Sequence, residues 1–276
     1  MVARTALVMV ALGITLSACG IRFVQHEFED DHSLKDKVAS VRIQSGSGSV
    51  TVRHSEGATE TTIHRRVQHQ RDAKPEGVSH RMEGSVLVLR DCGNNCTVDY
   101  EVAVPDKTTK VVGQLGSGDV TIEGVASVEL SAGSGHVTAR DITGNVRLDA
   151  GSGDFTAERI AGEVSASVSS GQLKVTDVKG KATLKNSSGD IVGEGLESDV
   201  IADASSGSVT LKLTAQKAVR AEASSGDINI TVPGGPYKVT ADSGSGDKTV
   251  KVPTDPSAPT ELNLHTGSGD IIVSAA

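Results

Sequence analysis

The sequence predicts an all-β fold, a β-solenoid of the parallel β-helix or β-roll kind with coils of roughly 18 residues and an irregular N-terminal cap. Three observations carry this. A Ser-Gly turn recurs at Gly118, Gly135, Gly153, Gly171, Gly189, Gly207, Gly226, Gly246 and Gly269, in successive steps of 17, 18, 18, 18, 18, 19, 20 and 23 residues. Between turns, apolar and polar residues alternate by twos, and helical periodicity is absent. The 276 residues include 31 Gly, 2% aromatics and no Trp, so large side chains cannot fill a wide core and a thin one is needed.

Residues 1–18 read as a signal peptide. Arg4 supplies the positive start, and the apolar run Thr5 to Leu16 is too short to remain as a membrane-spanning helix. Leu16-Ser17-Ala18-Cys19 resembles a bacterial lipobox, with Leu at minus three, small residues at minus two and minus one, and the lipid-accepting cysteine at plus one. The expected anchor is a covalent lipid on Cys19, each buried methylene contributing about 0.8 kcal/mol of membrane affinity. No other cofactor is expected. Residues 19–37, lipidated at their first position, are polar and weakly patterned, the composition of a tether.

Residues 38–110 are expected to form the cap and irregular first coils. Val41 to His54 carries a coil-like unit around Gly46-Ser47-Gly48, while Thr59 to His69, Val86 to Arg90 and Thr97 to Val104 read as longer strands and Arg71 to His80 as a loop. Of the three cysteines, Cys92 and Cys96 remain once Cys19 is set aside. They bracket Gly93-Asn94-Asn95, turn chemistry that predicts a hairpin pinned by a disulfide in an oxidising compartment. The spacing is not C-x-x-C, and no second pair exists to complete a zinc site. His64 and His69 would face opposite sides of a strand, so the histidines here read as solvated surface instead of shared metal ligands.

Residues 111–276 are the regular repeats. Val120 and Ile122, or Leu173 and Val175, point inward while Thr, Ser, Lys and Glu neighbours face water. Ala falls mostly beside the turn, where the walls converge. Nine such coils, spaced by about 4.8 Å, make a rod of roughly 40 to 45 Å. The residue after each Ser-Gly is Asp119, His136, Asp154, Gln172, Asp190, Ser208, Asp227, Asp247 and Asp270. The row Asp119, Asp154, Asp190 and Asp227 could ligate Ca²⁺ as in repeats-in-toxin rolls, but those repeats run at roughly nine residues with a G-G-x-G-x-D core. Turn structure covers the pattern better: carboxylates bond turn amides, and the interruptions keep like charges apart. The last coil, near Ile271 to Val273, is expected to leave an open edge and a route to self-association.

Composition also bounds the partners. With 27 basic and 35 acidic residues, net charge −8, nucleic acid is not an expected ligand. Ser residues lie in repeated turns, not in a nucleophile elbow. A polysaccharide-active β-helix needs aromatic platforms, and two Tyr and three Phe do not supply one.

Tyr100-Glu101-Val102-Ala103-Val104-Pro105, then Gly116-Ser117-Gly118-Asp119-Val120-Thr121-Ile122 and serial S-G-D-I or S-G-D-V turns, resemble the bacterial putative-adhesin domain family of unknown function, from about Val41 to the C-terminus. The resemblance implies a surface or envelope β-solenoid and assigns no binding residues. The combined expectation is a non-catalytic cell-envelope lipoprotein, lipid-anchored to the outer face of a bacterial membrane. Its rigid β-surface would meet an envelope protein or glycan.

Overall fold

The computed structural model describes residues 25–70 and 74–276, in which there is no helix. Two long sheets of 13 and 12 strands face each other. Each coil contributes one strand to the second sheet, turns at a Ser-Gly corner, and contributes the next strand to the first sheet. The seven coils from β8 (Lys110–Ser117) and β9 (Val120–Glu123) to β20 (Val219–Ser225) and β21 (Ile228–Val232) follow one another in sequence and in space. Neighbours pair in parallel register, Val128 on Val146 on Val164 in one sheet and Val137 on Phe155 on Leu173 in the other.

The period-two alternation does what it predicts. Val, Ile, Leu and Ala project into one continuous core, with Ile122, Leu148, Ala166, Leu184, Ala202 and Ala221 at most 2% exposed. Beside the Ser-Gly corner the inward position holds Ala132, Ala150, Ala204 and Ala223, but also Asn186 and Thr266. These two polar side chains donate to corner carbonyls, Asn186 to Gly171 and Thr266 to Gly226, at 2.8 and 2.9 Å. The opposite corner is preceded by a left-handed residue in five successive coils: Gly124, Asp141, Arg159, Asp177 and Gly195.

Order in space departs from order in sequence at both ends. β2 (Ser40–Ser47) and β3 (Val50–His54) stack directly on β8 and β9, Ser40 opposite Lys110 and Val50 opposite Val120. The chain between folds outward. β6 (Val86–Arg90) and β7 (Cys96–Val104) form a coil on the far side of β2–β3, and β4 (Thr61–Gln70) and β5 (His80–Glu83) pair antiparallel with its strands. The far end mirrors this. β24 (Glu261–Ser268) and β25 (Ile271–Ala275) slot between β20–β21 and the outermost coil, β22 (Lys238–Ser243) and β23 (Lys248–Val250). Setting aside the antiparallel strands leaves eleven coils, not nine, and a length of about 50 to 60 Å at a ~4.8 Å strand spacing.

Four expectations change as a result. The tether 19–37 holds a strand over ten of its residues: β1 (Gln25–Leu34) lies antiparallel on β4, held by charge pairing instead of an apolar stripe. Cys92 and Cys96 bracket no hairpin, because β6 and β7 belong to different sheets. The open edge at the C-terminal end is β22–β23 and not Ile271 to Val273, since Ile271 and Val273 are fully buried while β22 offers only half-buried Val239 and Ala241 inward. The added coils lengthen the rod. Its ends are plugged by the two Tyr of the chain, Tyr100 in the first coil and Tyr237 beside the last, both at most 1% exposed. Tyr237 donates to the Pro233 carbonyl at 2.8 Å.

The corner glycines are required twice over. Gly153 has φ of 116°, and a Cβ there would lie 2.0 Å from the Gly135 carbonyl oxygen of the coil below. Gly153→Ala is therefore expected to destabilise by about 2 kcal/mol or more in urea unfolding, through strain and steric contact. Ser152→Ala, one residue away and exposed, should stay within about 0.5 kcal/mol.

Candidate functional site

The Ser-Gly corners align in one column. Spatially it runs Gly48, Gly118, Gly135, Gly153, Gly171, Gly189, Gly207, Gly226, Gly269, Gly246. The residues after them form the Asp row, and each carboxylate has a defined partner. Asp119 accepts the backbone N–H of His136, Asp154 that of Gln172, and Asp190 that of Ser208, all at 2.8 Å. Asp227 accepts from Asp270, and Asp270 from Asp247, also at 2.8 Å. The row begins in the first coil, where Asp99 accepts the Ser49 N–H at 2.7 Å. An Asp thus satisfies an amide one coil up, and that coil can carry His, Gln or Ser instead. The amide of His136 holds the Asp119 carboxyl below its usual range.

Alternate Asp residues stand two coils apart, about 10 Å, too far for one Ca²⁺ at ~2.4 Å from each ligand. Among the described residues no group of three or more His, Cys, Asp or Glu is arranged to hold a metal ion. His136 sits between Asp119 and Asp154, its Nδ1 3.3 Å from one carboxylate and its Nε2 3.5 Å from the other, on an exposed corner.

Cys92 and Cys96 are joined at the corner where the first coil passes from one sheet to the other, with Cα atoms 5.7 Å apart. Asn95 inside this turn has φ of 57°. Beside it, Asp91 accepts from the Ser45 hydroxyl at 3.0 Å and from the Gly46 N–H, tying the first coil to the second. Cys19 and the signal segment lie outside the described residues.

The largest concavity is a shallow groove of about 810 Å³ across β2, β8 and β10 (Ser127–Ser134) on the outer face of the second sheet. Its floor is glycine: Gly46, Gly116, Gly133 and, at an inward register position between Ile43 and Leu130, Gly113. Gly113 has φ of 133°, and a Cβ there would lie 2.0 Å from the Ile43 carbonyl oxygen. Exposed Gln44 and Gln114, opposite each other in register, offer amide donors and acceptors along the trough. Arg42, held 3.1 Å from Glu83, is the one charged residue in the lining. A carboxylate, imidazole or thiol is not among the lining groups, so the groove can bind by hydrogen bonds but offers no acid, base or nucleophile.

Sequence reasoning missed a polar cluster at the N-terminal end. The alternation of β4 turns Ile63, Val67, His69 and Arg65 inward, and Arg65 is 2% exposed. Its Nε donates to Asp30 at 2.8 Å and its Nη1 to Ser79 at 2.8 Å. The Tyr100 hydroxyl donates to the Arg90 carbonyl at 2.8 Å and also contacts Ser79. Burial pushes the Asp30 carboxyl up, but the hydrogen bonds and charge of Arg65 outweigh it and hold the group below its usual range. Burial pushes the Tyr100 phenol up. His69 and His80 are buried, at 6% and 8% exposure, against the expectation of a solvated surface. The signal was available: Arg65 shares the parity of Ile63 and Val67 along β4.

The Toastrack DUF4097 family matches residues 33–274. A solved putative adhesin from Parabacteroides merdae is 12% identical, covering 91% of this chain and 96% of its own, with a TM-score of 0.50. A solved putative adhesin from Bacteroides fragilis is 13% identical over 92% of this chain and 100% of its own, with a TM-score of 0.44. No curated protein matches. The first of these structures shares the fold.

Two measurements check this site. Millimolar Ca²⁺ is expected to leave the melting temperature unchanged, because a ligand of the folded state alone would raise it. Arg65→Met should destabilise by about 3 kcal/mol in urea unfolding, because it leaves the Asp30 carboxylate buried without its partner.

Proposed function

This chain belongs to the Toastrack DUF4097 family, and on that premise we propose that it is a non-catalytic lipoprotein of the bacterial cell envelope that presents a rigid β-surface to an envelope protein or glycan. The observation that carries this reading is the groove over β2, β8 and β10. Glycosidic cleavage by the usual route needs two carboxylates flanking the bond, and this lining provides amides, hydroxyls and glycine backbone instead. The sheets behind it are rigid, since every coil is hydrogen-bonded to the next and the core has no polar opening along its length.

The anchor supports the same reading. Cys19 precedes the start of β1 by six residues, so a lipid there would keep the capped end within about 20 Å of the membrane at ~3.4 Å per residue. The groove then lies near the membrane-proximal end, and the Lys238–Ser243 coil points away.

Two experiments test the proposal. Metabolic palmitate labelling should be lost in Cys19→Ala and the protein released from the membrane fraction; retained label would sink the lipid anchor. A photo-cross-linking residue at Gln114 should trap a discrete partner in intact envelopes, and the same probe at Glu158 on the opposite sheet should not. Equal yields at both positions would count against the groove.

A further inference from the structure

The two sheets end differently at the N-terminal cap, and their edge strands meet. β1 closes the first sheet and β5 the second, and the contact between them is His32 on His80, edge to face with ring centroids 4.7 Å apart. This contact lies over the end of the core, above Arg65, Ser79 and Tyr100. The His80 Nδ1 is buried and has no hydrogen-bond partner. The groups facing the ring from the packed elements are His32 and Asp30 on β1, Arg65 on β4, Tyr100 on β7 and the Leu89 it opposes on β6. Asp30 is the one acid in this set, and it is already engaged by Arg65 and lies 3.1 Å from His32. A proton on His80 would therefore place a cation beside a buried guanidinium with no free counter-charge.

We propose that the His32–His80 contact is an acid-opened latch: protonation of His80 separates β1 and β5 and uncovers the outer edge of β4. Elsewhere β1 is held by β4 alone, through Glu29 on Arg66 at 2.8 Å, His64 on Asp31 at 2.9 Å, and the half-buried Phe28 and Leu34. The uncovered β4 presents a ten-residue row of unpaired backbone groups, a template for an added strand.

The sign follows from burial. Desolvation, then the charges of His32 and Arg65, lower the His80 pKa from 6.5 to about 4 in the closed state. The open state releases it toward the ordinary value, so it binds the proton more tightly. Opening is then favoured as pH falls from about 6.5 toward about 4, by about tenfold per pH unit, and is independent of this group above that window.

Hydrogen exchange of the whole mature chain tests the latch. After correction for intrinsic rates, protection of amides in 25–34 and 61–70 should fall about tenfold per pH unit between pH 6.5 and 4.5, while amides of the seven central coils keep theirs. His80→Gln, neutral throughout, should flatten that dependence. Protection that stays constant to pH 4.5, or a His80→Gln chain that responds as steeply as the parent, would overturn the proposal. NMR titration of the His80 ring is independent of whether the variant folds: a midpoint near 4 supports the latch, and a midpoint near 6.5 in the folded protein refutes it.

Discussion

The structure depends on how closely one coil can lie on the next at the Ser-Gly corner. Along that column a Cβ on any of the nine glycines after Gly48 would approach the carbonyl oxygen of the preceding coil to between 2.0 and 2.3 Å, and their φ angles run from 116° to 147°. Only glycine combines that conformation with that approach. Close stacking there sets the strand spacing, the spacing sets the register, and the register puts Val over Val and Ala over Ala through the core. The Asp row belongs to the same constraint. A corner this tight leaves an amide pointing along the rod, and a carboxylate from the coil below accepts it.

A solenoid built this way has two ends, and each would expose the edge of two parallel sheets. Both ends are handled by changing the order of the chain. At the front, a coil is laid outside an earlier one and covered by antiparallel strands; at the back, the final coil is tucked inside the one before it. A tyrosine fills the core behind each end. The back end remains a plain edge, marked by Lys238, Lys248 and Lys251, which discourage edge-to-edge pairing. The front end is closed by polar groups, and it gathers the buried ionisable side chains that the regular coils exclude.

This division separates two kinds of chemistry. The repeat faces are sequence-tolerant surfaces: outward side chains alternate with the core but touch only water and each other, so the groove over Gly113 can be lined with amides at little cost to stability. The cap is not tolerant. Arg65, Asp30, Ser79, Tyr100, His32 and His80 satisfy or oppose one another in a small buried volume, where a single proton changes the balance.

How much of this was legible follows from what is local. The 18-residue period, the alternation by twos and the low aromatic content determined the solenoid, its thin core and its Ser-Gly column, because each coil repeats one local solution to turn geometry and burial. The turn role of the Asp row was also legible, as the choice of carboxylate beside a glycine corner is local. Tertiary structure decided the rest. Nothing within Ser40–His54 or Glu261–Ala275 says that these coils lie beside partners distant in sequence, since any parallel edge with the same spacing would accept them. β1 carried no apolar stripe, and its strand character appears only when Glu27, Glu29 and Asp31 face Gln68, Arg66 and His64. Arg159 adopts a left-handed conformation because its coil position demands it, with Asp141 gripping the guanidinium at 2.7 and 2.9 Å. The cap cluster was hidden for the same reason: burial of an arginine or a histidine is a property of what packs over it, and those strands come from four separate parts of the chain.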